Sequence, residues 1–156
     1  MSSKLMKLFR TFPKDIFRVN NGPHVQLREY VEGLRVYDIH VTHGMVKPLA
    51  PHAQVFEAPN GASMRPNSTN QQRLVGSSFK GPNVIVYAVA AGTPLPEDLV
   101  LVHERSDHYS LQPSKVMTLQ GLDSAITNFL WHKATMYTRE QWIDKYPAPT
   151  DFHGRI

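Results

Sequence analysis

NVIVYAVAAGTPLPEDLVLVHERSDHYSLQ, residues 83–112, decides the fold class. It opens with a largely apolar run, 83–91, of the kind found in a strand buried on both faces. Residues 99–104 and 108–112 read as two further strands around the tight segment Arg105-Ser106-Asp107. Downstream, over residues 118–132, the period changes: Leu119, Leu122, Ile126, Phe129 and Leu130 fall on one helical face, with Thr118 as N-cap. A last helix is predicted from Thr138, because Thr138 and Gln141 have the spacing of a capping box, Trp142 faces inward and Pro147 lies just beyond. Strands joined by short elements and followed by terminal helices, with no internal repeat, predict an α+β domain.

Upstream, residues 15–20 (DIFRVN) read as a strand closed by the turn Asn21-Gly22-Pro23, with Arg18 inside it. Residues 24–30 and 33–40 fit either two short strands or a strand and a loose helix. A short strand is expected over residues 54–58, running into the turn Pro59-Asn60-Gly61 and presenting Ala62, Ser63 and Met64. Residues 67–76 predict a short helix capped by Asn67 or Ser68 and stopped at Gly76. Its free N–H groups would point toward the Ser63 segment.

The chain has 156 residues, 41% hydrophobic and 19% charged, which suits one folded domain. We divide it into a basic N-terminal arm (1–12), a domain (13–147) and a C-terminal tail (148–156). The absence of cysteine excludes disulfides, thiolate catalysis and sulfur-bound zinc. A formal charge of +4 favours anionic partners. No apolar run has the length of a membrane span, so a soluble protein without membrane partners is expected. Lys4, Lys7 and Arg10 give the arm the look of a mitochondrial presequence as well as of a plain basic extension.

Eight histidines lack H-E-x-x-H or any convincing ligand spacing, and no metal is expected; His40 and His43 pair only on a helix. Neither phosphate-binding glycine motif occurs, nor does the G-x-S-x-G of serine hydrolases. The densest polar stretch is VHERSDHYSLQ, residues 102–112. On a strand period His108, Ser110 and Gln112 share one face, and Tyr109 and Leu111 the other. That face is either a chemical wall or a plain solvent-facing side. Arg18, set among Ile16, Phe17 and Val19, must reach a carboxylate or a bound anion.

AGTPLPEDL (91–99), DHYSLQPSKVM (107–117) and the helix LDSAITNFL (122–130) together resemble the Tse2-type toxins delivered by bacterial type VI secretion, and the fungal proteins that carry the same domain. VFEAPNGASM (55–64) and IFRV (16–19) extend the resemblance upstream, whereas residues 24–50 match poorly. It implies an ADP-ribosyltransferase-like fold, two small packed sheets clamping NAD, and an NAD-dependent toxin acting on a macromolecular acceptor in the cytoplasm. In bacterial relatives an immunity protein covers the cleft.

Carried over residue by residue, the resemblance gives Arg18 the phosphate or ribose, Ser63 the ribose hydroxyl contact, and the 108–112 strand the third set. Arg18, Ser63, Tyr109 and Ser110 are thus the cofactor-binding candidates, and Ser63, Glu104, His108 and Gln112 the catalytic ones. One departure is evident: transferases of this fold place a Glu on the third strand, and here the strand offers His108 and Gln112. Either of these substitutes, or Glu104 folds back, or NAD is bound with little transfer. Two other readings fit the sequence. One is an NAD glycohydrolase. The other is a non-catalytic nucleic-acid-binding module, suggested by the positive charge and by Tyr30, Tyr37 and Tyr109.

Overall fold

A computed structural model describes residues 7–50 and 59–151. Its architecture is α+β, with three small antiparallel sheets rather than two. The first sheet has the order β1-β6-β7-β4, from Lys7–Phe9, Leu99–Arg105, His108–Pro113 and Ala62–Met64. The second is β2-β5-β9, from Ile16–Asn21, Val84–Val89 and Thr135–Thr138. The third is a ribbon of β3 (Met45–Val46) and β8 (Met117–Thr118).

Strand β5 sends Ile85, Tyr87 and Val89 into one core and Val84, Val86 and Ala88 into another, which is why both of its faces are apolar. Alternation along β2 sends Ile16 into one core and Phe17 and Val19 into another. The larger core joins Phe12, Ile16, Leu99, Leu101 and Leu111 to Leu122, Ile126, Phe129 and Leu130 of α2 (Leu119–Lys133). The smaller one packs Phe17 edge-on to Trp142 of α3 (Arg139–Lys145), with ring centroids 5.4 Å apart. Both expected caps form: Thr118 accepts from the Gly121 N–H, and Thr138 with Gln141 makes both bonds of the capping box.

Other expectations need correction. The helix after Ser63 is shorter, α1 being Thr69–Arg73, and Ser68, not Asn67, is its cap. Gly76 does not stop it; the chain passes through Gly76 in a π-helical turn, Leu74–Ser78. Residues 24–40 form neither two strands nor a helix: a single parallel bridge joins Glu29 to Ile39. That segment is tied to α2 by side chains, with Val25 N–H donating to Thr127 Oγ1 and Leu27 N–H to Asp123 Oδ1. The strand expected over 54–58 lies outside the described residues. Among the described residues no helix is long and apolar enough to cross a membrane.

The two larger sheets meet where β2 passes the end of β4. Phe17 of β2 and Arg65, one residue beyond β4, exchange both backbone hydrogen bonds, at 2.7 and 3.0 Å. This junction sets Arg18 of the second sheet over Ser63 of the first.

Candidate active site

Arg18 is half-buried and shares its face of β2 with Asn20, two residues on. Its Nε and Nη2 both donate to Asn20 Oδ1, at 3.2 and 3.0 Å, and its Nη1 donates to the Ser63 carbonyl at 3.1 Å. Asn20 is fixed in turn by donating to the carbonyls of Gly22 and His24. No carboxylate of the described residues forms an ion pair with Arg18, so the structural salt bridge that its sequence context allowed is not made. Burial pushes the guanidinium below its ordinary value; Asp38 pulls it up, Arg28 adds to the lowering and Asp123 partly offsets it. The group stays charged, since arginine does not deprotonate in proteins.

Arg18 and Ser63 open into a cleft of about 630 Å³, within the usual range for small-molecule sites. Arg18, Arg28, Arg65 and Lys80 line it, against the single carboxylate of Asp38. Asp38 is held at one rim by Arg28, Nε to Oδ2 at 3.0 Å, a bond that raises the Arg28 guanidinium above its ordinary value despite partial burial. The balance of charge on the cleft wall is therefore positive and favours anions.

Behind Ser63 lies a buried polar relay. Ser63 sits opposite Ser110 in the β4–β7 register, which brings His108 diagonally across from it on the same face. The Ser63 hydroxyl is 3.0 Å from His108 Nε2, and His108 Nδ1 is 2.7 Å from Glu104 Oε1. Glu104 Oε2 accepts from Ser110 Oγ at 3.2 Å and from Gln112 Nε2 at 3.1 Å. A carboxylate partner at Nδ1 fixes the proton there, so Nε2 presents its lone pair and the Ser63 hydroxyl donates to it. An irregularity in the β6–β7 pairing between His103 and Arg105 releases Glu104 from strict register.

This face is not a solvent-facing side: Glu104, Ser110 and Gln112 are all buried. The structure brings Arg18, Ser63, His108, Glu104, Ser110 and Gln112 together, with Ser63 at the cleft and the others of the relay behind it. Tyr109 is elsewhere. It is 2% exposed in the main core, its ring stacked on His103 at 4.2 Å, so it is not the exposed aromatic that a nucleic-acid surface would use. Sequence reasoning missed Asn20, Arg28, Asp38, Arg65 and Gln71 of the cleft wall. The alternation of β2 carried a signal for Asn20 alone.

The β6–β7 hairpin is anchored to α1 through Asp107. Its carboxylate accepts from Ser68 Oγ at 2.6 Å and Asn70 Nδ2 at 3.2 Å, with Arg65 Nε at 3.5 Å. Burial pushes this carboxyl up, but the two hydrogen bonds and the Arg65 charge outweigh it and leave it below its ordinary value.

An α+β domain whose joined sheets frame a cation-lined cleft beside a Ser-His-Glu relay has the charge and shape to accept a small anionic ligand. Residues 14–142 match the sequence model of the Tse2 ADP-ribosyltransferase toxin family. The chain belongs to that family. No individually curated protein gives a significant sequence match to it.

Proposed function

We propose that the chain is an NAD-dependent ADP-ribosyltransferase toxin whose site is the cleft over Ser63. The observation that carries this reading is Arg18: a half-buried guanidinium, held by Asn20 and the Ser63 carbonyl without a carboxylate partner, in a cleft lined by three further cations. An anionic ligand supplies the charge that the protein withholds, and the diphosphate of NAD suits the Nη hydrogens that Asn20 and the Ser63 carbonyl leave unused.

The relay then answers the missing third-strand acid. Glu104 polarises His108, and His108 polarises the Ser63 hydroxyl, so electron density accumulates at Ser63 Oγ. Because Ser63 donates its own proton inward, its lone pairs are left for a ribose hydroxyl in the cleft. The glycosidic bond from ribose C1′ to the nicotinamide nitrogen breaks with both electrons going to the ring. Partial negative charge at Ser63 Oγ stabilises the oxocarbenium-like sugar that remains. The acceptor nucleophile attacks C1′ and its proton passes through Ser63 to His108 Nε2. Ser110 and Gln112 hold Glu104 in place.

Expression of wild type and of Arg18→Ala, Ser63→Ala and His108→Ala in a sensitive host, with growth and cellular NAD followed together, tests the reading. Growth arrest and NAD loss confined to wild type, with all four chains folded, is the expected outcome. Equal growth and unchanged NAD in all four would refute it.

A further inference from the structure

Gln71 on α1 is 1% exposed and belongs to the wall of the cleft, yet its Nε2 has no hydrogen-bond partner. Its backbone N–H is already used by the Ser68 cap, so the helix has no need of the side chain. Arg65, also on the wall, repeats the pattern: its buried Nε makes no hydrogen bond and only stands 3.5 Å from Asp107. Native interiors rarely leave a buried donor unmet, because doing so forfeits the hydration it had in the unfolded chain. The Gln71 amide, beside a guanidinium whose Nε has only the distant Asp107 carboxylate, has a remedy in an anionic oxygen from a ligand.

Resting on the NAD reading above, the geometry points to Gln71, with Arg65, as a second anion subsite of the cleft that binds the diphosphate of the dinucleotide. Arg18 grips the ligand from the sheet side and Gln71 from the helix side. α1 thereby becomes part of the binding machinery, held to the relay hairpin through Asp107, Ser68 and Asn70.

Isothermal titration of the intact chain with NAD and, separately, with ADP-ribose tests this on wild type and Gln71→Leu, with thermal melting alongside. The expected result is binding of both ligands weakened about tenfold, the usual worth of one hydrogen bond to a charged group. The melting temperature should equal or exceed that of wild type, because leucine removes an unmet donor. Unchanged affinity overturns the inference, as does a loss confined to NAD, since ADP-ribose keeps the diphosphate and lacks only nicotinamide. If Gln71→Leu fails to fold, Gln71→Glu retains the shape and opposes the diphosphate: a loss beyond tenfold supports the subsite, and no loss overturns it. Wild type binding ADP-ribose but not NAD would sink the NAD reading and leave the subsite standing. Wild type binding NAD with Gln71 indifferent would do the reverse, and binding of neither ligand would overturn both.

Discussion

Replacing Glu104 by Gln keeps the shape of a side chain that now accepts three hydrogen bonds, from His108, Ser110 and Gln112. The new amide must place its NH₂ against one of these donors. Turned toward His108, it donates to Nδ1 and drives the proton to Nε2, which then points at the Ser63 hydroxyl as a donor rather than an acceptor. Turned toward Gln112, it sets two NH₂ groups against each other and leaves His108 beside a neutral carbonyl. Either way one charge-assisted bond is lost, about 1.5–3 kcal/mol, partly offset by relief of a buried charge. For a domain of this size that lowers the melting temperature by roughly 3–10 °C. Even from a stability of about 5 kcal/mol, more than about nine-tenths of the chain stays folded at 25 °C. The chemical step should suffer far more, by about 10²–10⁴-fold, because the proton acceptor is either reversed or stripped of its carboxylate partner. Nicotinamide release from NAD, measured beside a melting curve, separates the two effects. A folded variant that keeps a rate within about threefold of wild type would refute the relay, since an intact general base contributes at least about 10²-fold.

Two further predictions concern the frame that carries the site. A Cβ at Gly61 would overlap the Leu111 carbonyl, so Gly61→Ala must push the start of β4 away from β7, costing about 1–3 kcal/mol; a lower urea midpoint at unchanged slope would show it, and an unchanged midpoint would not fit. Asp107 titrates below its ordinary value, so its stabilising contribution is fully present above the unfolded-state value near pH 4 and is lost as pH falls through the lower folded one. The stability gap between wild type and Asp107→Asn, from urea unfolding, should therefore be larger near neutral pH than at about pH 2–3; a gap independent of pH would contradict the assignment.

Much of the framework was legible because its signals are local. The apolar run of β5, the 3.6 period of α2 and the Thr138 capping box each sit within a few residues and stand in the structure as read. β1 and β9 gave no such signal: mostly exposed, they are strands only because β6 and β5 offer free edges. Residues 24–40 stayed opaque because long-range bonds to Thr127 and Asp123 order their backbone, and local period cannot show these. In the site, Arg18 stood out as a charge in an apolar strand, and the 108–112 alternation correctly grouped His108, Ser110 and Gln112. Placing Glu104 beneath them required the break in register at residues 103–105, which no pattern announces. Tyr109 lay in the same run but on the opposite face, where alternation sends it into the core. Gln71 carries no anomaly in sequence; only its unmet donor marks it.

The central claim is that the cleft under Arg18 binds NAD and breaks its glycosidic bond. The most direct measurement is release of nicotinamide from NAD by purified wild-type chain and by folded Arg18→Ala, with a host lysate supplying acceptors. Wild type should release nicotinamide and leave label from the ADP-ribose half on macromolecules, and Arg18→Ala should do neither. Folded wild type that releases no nicotinamide, or release that survives the loss of Arg18, would contradict it.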